Sequence, residues 1–233
     1  MTSNLPFTPD QFFEVFAEYN RSVWFFALTL WLHAVAGAIV LARHRDRGGR
    51  VLSCLLAVQW AWVAVVYHGA FFTSINPAAW LFAALFLIQS ALFVWFGLVR
   101  NELRFDASGS PRGVVAWTLI VYALVYPMLA HVDGHPFPRG PTFGVPCPMT
   151  LLTMGFLFAA VPPWPRVLAV IPVLWAFVGG SAALVLGVRA DLMLWVSGAA
   201  LTAYVLLQAR RSFLNSSVPS DAPGRRLERT RAR

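Results

Sequence analysis

The feature that most constrains this chain is a run of apolar stretches, each close to twenty residues long and almost free of charge. Segments 22–42, 51–72, 78–99, 113–130, 167–186 and 190–209 each approach the roughly 20 residues that a helix needs to cross a hydrocarbon core of about 30 Å. Hydrophobic residues make up 58% of the 233 and charged residues only 12%, more apolar side chain than one soluble core of this length can hide. That balance excludes an ordinary soluble enzyme, a disordered chain and a nucleic-acid-binding domain. In lipid every backbone polar group must be satisfied internally, so segments of this length read as helices. The expected fold is an all-α, polytopic membrane bundle.

A seventh apolar stretch, 142–161, is shorter in effect. Its helical part is bounded by Pro146-Cys147-Pro148 and by Pro162-Pro163, which leaves about 14 residues, or about 21 Å of helix. It crosses only if 143–146 also enters the membrane as irregular chain, which is tolerated at depth only inside protein or beside a wet cavity. Counting it gives seven spans with a short or re-entrant fifth segment.

Charge tests this count. All 18 basic residues are Arg. With seven spans, fifteen fall on the side that holds loops 42–50 and 100–112, Arg166 and the C-terminal tail. Only Arg21, Arg139 and Arg189 fall on the other side. The positive-inside rule then places the N-terminus outside and the C-terminus inside. The ten acids divide evenly, so the outer face is mildly acidic and the inner face strongly basic.

Three regions follow. Residues 1–21 read as an extracytoplasmic interfacial helix: Thr8-Pro9-Asp10-Gln11 has the form of a capping box with Pro at the first helical position, and Phe12, Val15, Phe16 and Tyr19 recur at helical spacing. No cleavable leader is expected, because Asp10, Glu14 and Glu18 precede the first Arg. Residues 22–209 form the seven-span domain, and 210–233 a disordered, Arg-rich cytoplasmic tail. The partners implied are the lipid bilayer and anionic headgroups at the basic face, rather than nucleic acid. A membrane partner or a second copy of the chain is compatible with the aromatic content.

Reactive side chains gather at the outer face in this topology. His68 lies near the outer end of the second span, His131, Asp133 and His135 follow the fourth, and Cys147 opens the short fifth segment. With Pro148 at the first helical position Cys147 reads as an N-cap, whose sulfur would meet the positive end of the helix and favour thiolate. Together with His131, Asp133 and His135 it offers ligands for zinc or copper, although Gly134 and Pro136 make a loop of the H-x-D-x-H run. Each residue also has a plainer reading: a small residue in a tight turn for Cys147, polar loop residues for the others. Cys54 lies at the opposite end of the second span, out of disulfide reach. His33, near the middle of the first span, is a binding candidate as an intramembrane ionisable group, or a packing histidine bonded across helices. A haem between His33 and His68 has no motif behind it. Tyr122 and Tyr126 read as packing, Gly179-Gly180-Ser181 as a close helix approach. No P-loop, dinucleotide fingerprint, nucleophile elbow, H-E-x-x-H or C-x-x-C is present.

Two segments, LPFTPDQFFEVFAEYN at 5–20 and PTFGVPCPMT at 141–150, resemble an uncharacterised family of bacterial multi-pass membrane proteins, a domain of unknown function. The resemblance covers nearly the whole chain except the tail. It implies a bacterial inner-membrane location and a family-wide FGVPCP turn, and it brings no activity, substrate or cofactor.

The function expected from these residues is non-enzymatic: binding or movement of a small solute or soft metal ion at an outer-face site of Cys147, His131, Asp133, His135 and His68, with His33 as a further binding candidate within the membrane. The alternatives are an intramembrane enzyme, either a thiol oxidoreductase or a metal-dependent lipid hydrolase, and an accessory subunit of a membrane complex.

Overall fold

A computed structural model describes residues 6–43 and 48–217, and within them the chain is helical. Six helices are long and apolar enough to cross a membrane: α1 (Pro9–Arg43), α2 (Gly48–Ser74), α3 (Ala79–Val99), α4 (Pro111–Val132), α6 (Arg166–Leu186) and α7 (Arg189–Leu214). Between α4 and α6 lies α5 (Pro146–Ala159), an apolar helix of 14 residues. The sequence arithmetic for this short segment therefore holds in length.

The bundle wears its apolar residues outside. Trp24, Leu81, Val121 and Leu184 are each more than half exposed, a surface compatible with lipid. Polar side chains turn inward and bond across helices. Gln89 donates to the Leu168 carbonyl at 3.0 Å, Ser90 to that of Ala57 at 2.7 Å, and Trp60 Nε1 to Thr153 Oγ1 at 3.0 Å.

The short helix forms the centre. Every residue of α5 except Cys147 is buried. Gly155 lets it ride directly on α4: a Cβ there would stand 2.7 Å from Ile120 Cγ1 and 3.0 Å from the Ala116 carbonyl oxygen. Its C-terminal end is tied off by the 100–110 loop and the start of α4: Phe105 bridges to Ala160, Val161 N–H donates to the Arg104 carbonyl, and Arg112 of α4 donates to that of Ala160.

Helix direction follows from contacts at the two ends. The Arg189 N–H donates to Asp133 at 2.6 Å, so the end of α4 meets the start of α7. Arg166 donates to Ser212 at 3.1 Å, so the start of α6 meets the end of α7. Helices α4 and α6 thus run the same way, and the chain between them passes from one end of the bundle to the other through α5.

Three details differ from the sequence reading. The N-terminal amphipathic stretch is continuous with the first long helix and is set off from it only by Val23, whose φ and ψ of −129° and 21° break the helical geometry. Residues 63–71 of α2 and 94–99 of α3 wind as π-helix, one residue wider per turn than the α-helix expected. Helix continues to Ser217, so 210–217, expected in a disordered tail, are helical. The rest of that tail lies outside the described residues, as do Arg45 and Arg47 of the 42–50 loop.

Candidate functional site

The N-terminal arm of α1, before the break at Val23, covers one end of the bundle. Thr8 and Gln11 form the expected capping box in both directions: Gln11 N–H donates to Thr8 Oγ1 at 3.2 Å, and Thr8 N–H to Gln11 Oε1 at 2.8 Å. The helix so started presents Phe12 and Phe16 inward. Phe16 stacks on Tyr67 with centroids 5.8 Å apart, and Phe7 meets Phe72 edge-on at 5.6 Å.

Under this arm lies a cavity of about 250 Å³. Its walls are apolar and aromatic: Phe7, Phe12 and Phe16 from the arm, Tyr67 and Phe72 from α2, Phe82 from α3, Trp175 and Ala182 from α6. Its polar groups are few, namely Asn76, Ser181, Cys147 from the first turn of α5 and Asp191 from the first turn of α7. Few convergent polar groups in an apolar pocket is the usual composition of a small-molecule site.

Asp191 is the most unusual residue there. Among the described residues it is the only Asp, Glu or Arg in the buried class, at 7% exposure. Tyr126 donates its hydroxyl to Oδ1, and the Cys147 thiol lies beside the same carboxyl group. No Arg or His lies within ion-pair reach of it among the described residues. Tyr122, one helical turn before Tyr126 on the same face of α4, donates to the Ala190 carbonyl at 2.8 Å. The two tyrosines read as packing from sequence are therefore the clamp that fixes the start of α7. Sequence reasoning passed over Asp191, although an acid at the edge of an apolar span is a signal in itself.

The residues singled out in the sequence scatter. Cys147 reaches the cavity, but Val145 is the N-cap, with extended φ and ψ of −106° and 162°, and Pro146 opens the helix. Cys147 thus sits inside the first turn facing an acid, and the ground for expecting a thiolate, a sulfur at the cap, is absent. His68 is fully buried behind the cavity wall against Trp175, Phe82 and Phe86, with no hydrogen-bond partner for either ring nitrogen. His131 is exposed at the end of α4. Asp133 joins α4 to α7 through the Arg189 backbone and, at 3.7 Å, its guanidinium. His135 stacks on Phe13 with centroids 4.6 Å apart. His33 lies half-buried on α1, its Nδ1 without a partner. Among the described residues no three His, Cys, Asp or Glu side chains come together to hold a metal, so the four zinc or copper ligands expected from sequence are not gathered into one set.

Local geometry explains how Cys147 is delivered to the cavity. The chain just before α5, 140–145, is irregular and largely buried, and the end of the arm satisfies part of its backbone. Asn20 donates to the Pro138 carbonyl at 2.6 Å and to that of Gly140 at 2.8 Å, and accepts from Thr142. Tyr19 donates to the Gly144 carbonyl at 3.1 Å and accepts from Trp62 Nε1 at 2.9 Å. The two distinctive sequence segments, 5–20 and 141–150, are thus bonded to each other.

A family described as a family of unknown function (DUF6064) matches residues 9–216, and the chain belongs to it. No curated protein and no solved structure matches the chain.

Proposed function

We propose that this member of the family is a multi-pass protein of the bacterial inner membrane that binds a small solute in the cavity beneath the N-terminal arm, as the first step of carrying or sensing it. In this reading α5 counts as a seventh pass, the N-terminus lies outside and the tail inside, because that orientation puts fifteen of the 18 arginines on the cytoplasmic side. The cavity then opens toward the extracytoplasmic face.

The observation that carries the reading is the cavity itself: about 250 Å³ of apolar space with one buried acid and one thiol at its polar edge. Apolar cavities of about 150 Å³ already take up benzene, so this one has room for a somewhat larger solute. A soft metal ion is the less supported ligand, since the sulfur's polar neighbours are one carboxyl group and Trp175 rather than imidazoles. A thiol enzyme is less supported too, because both His68 nitrogens lack partners and no imidazole bonds Cys147 among the described residues.

The test uses Cys147 as a reporter in a Cys54→Ala background. A small, membrane-impermeant methanethiosulfonate added outside intact cells should label Cys147, and Ala182→Phe, which fills the cavity, should slow labelling at least tenfold. No labelling, or the same rate in both proteins, would overturn the reading.

A further inference from the structure

Resting on that reading, we propose that the solute is a small organic cation: an ammonium group on an apolar skeleton, with its charge at Asp191 and its carbon against the rings of Tyr67, Phe82 and Trp175. Three observations converge on this class.

The first is charge. Asp191 is buried at the cavity, receives a hydrogen bond from the Tyr126 hydroxyl and lies beside the Cys147 thiol, yet no basic side chain pairs with it among the described residues. A withdrawn acid without a counter-charge is costly, and apolar spans keep such residues where a partner or a ligand meets them. No Arg or His among the described residues lines the cavity, and a cationic solute would supply the missing counter-charge. The same carboxylate repels an anionic solute.

The second is the wall. Tyr67, Phe72, Phe82 and Trp175 all border the space, and aromatic faces attract ammonium groups through their quadrupoles while accepting the attached carbon chain. A neutral solute would gain the apolar contact alone. The third is the approach. The three outer arginines pair with Asp10, Glu14 and Asp133, which leaves Glu18 on the arm above the cavity and Asp191 within it as the acids without an arginine among the described residues, so the outer face is net negative in the proposed orientation. An acidic surface raises the local concentration of cations.

The experiment compares three probes on one skeleton with purified protein in a non-ionic detergent: 3-phenylpropylamine, 3-phenylpropanol and 3-phenylpropanoate, each titrated calorimetrically. The expected result is that the amine binds at least tenfold more tightly than the alcohol, and that the carboxylate does not bind. Asp191→Asn should bring the amine down to the affinity of the alcohol while leaving the alcohol unchanged, and Ala182→Phe should abolish binding of both. If the alcohol or the carboxylate binds wild type as well as the amine does, and Ala182→Phe removes it, the cation assignment falls and the cavity reading stands. If no probe binds, or if binding survives Ala182→Phe, both fall. Because the ranking of the three probes is read on wild type, the assignment is decided even if Asp191→Asn does not fold.

Discussion

Gly144 shows how much can hang on one missing side chain. Its φ is +81°, a left-handed conformation that costs an L-residue about 1–2 kcal/mol. A Cβ there would also stand 2.3 Å from the Tyr19 hydroxyl, which satisfies the Gly144 carbonyl. Gly144→Ala should therefore destabilise the protein by about 2–4 kcal/mol once the displaced hydroxyl is included, measured as thermal unfolding in detergent. A variant as stable as wild type would mean that the 138–145 chain does not rest on the arm. Gly in a Pro-rich turn is visible in the sequence, but its partner 125 residues away is not. Asp191 teaches the converse lesson. Its type and position at the end of an apolar span were legible, whereas its importance came from Tyr126 and Cys147, which reach it from other helices.

Among the elements, α5 is held by what surrounds it. A helix of 14 residues at about 1.5 Å each is too short to be an independent span, and the irregular chain before it needs partners for its carbonyls. The arm of α1 supplies them, so arm and α5 stand or fall together. Asn20→Ala removes the donors to Pro138 and Gly140 and should cost about 1–3 kcal/mol, with proteolytic cleavage in 133–145 appearing before global unfolding. Asn20→Asp should do no better, because it keeps an acceptor for Thr142 and loses both donations. Cleavage no faster than in wild type would show that the loop is held by something else. Helices α6 and α7 depend in the same way on absent side chains: a Cβ on Gly180 would sit 1.6 Å from Trp195 Cδ1. Gly180→Leu should separate the pair and lower the yield of folded protein, read by gel filtration in detergent. The capping box and the glycine pair were legible because they are local patterns. The break at Val23 and the π-turns around His68 were not, since Val23 carries no breaker signal and a lone Gly69 in an apolar run reads as ordinary helix.

For the whole molecule the arginine distribution is the strongest global signal, and it makes a simple prediction about topology. A green fluorescent protein fused after the last residue should fluoresce, and alkaline phosphatase at the same place should be inactive. Active phosphatase would invert the bundle and move the cavity to the cytoplasmic side. Hydropathy by itself determined that the chain is an apolar helical bundle, where its long helices lie, and that one segment falls short of the others. Those properties depend on lengths and composition along the chain, which a sequence states directly. Tertiary structure alone decided that the short segment forms the centre, that the arm closes the cavity, and that Cys147 meets Asp191 rather than His131 and His135. Those outcomes depend on helix rotation and on which faces approach closely enough to bond. Rotation is set by small residues such as Gly155, by π-turns and by hydrogen bonds between residues far apart in the chain, none of which hydropathy encodes.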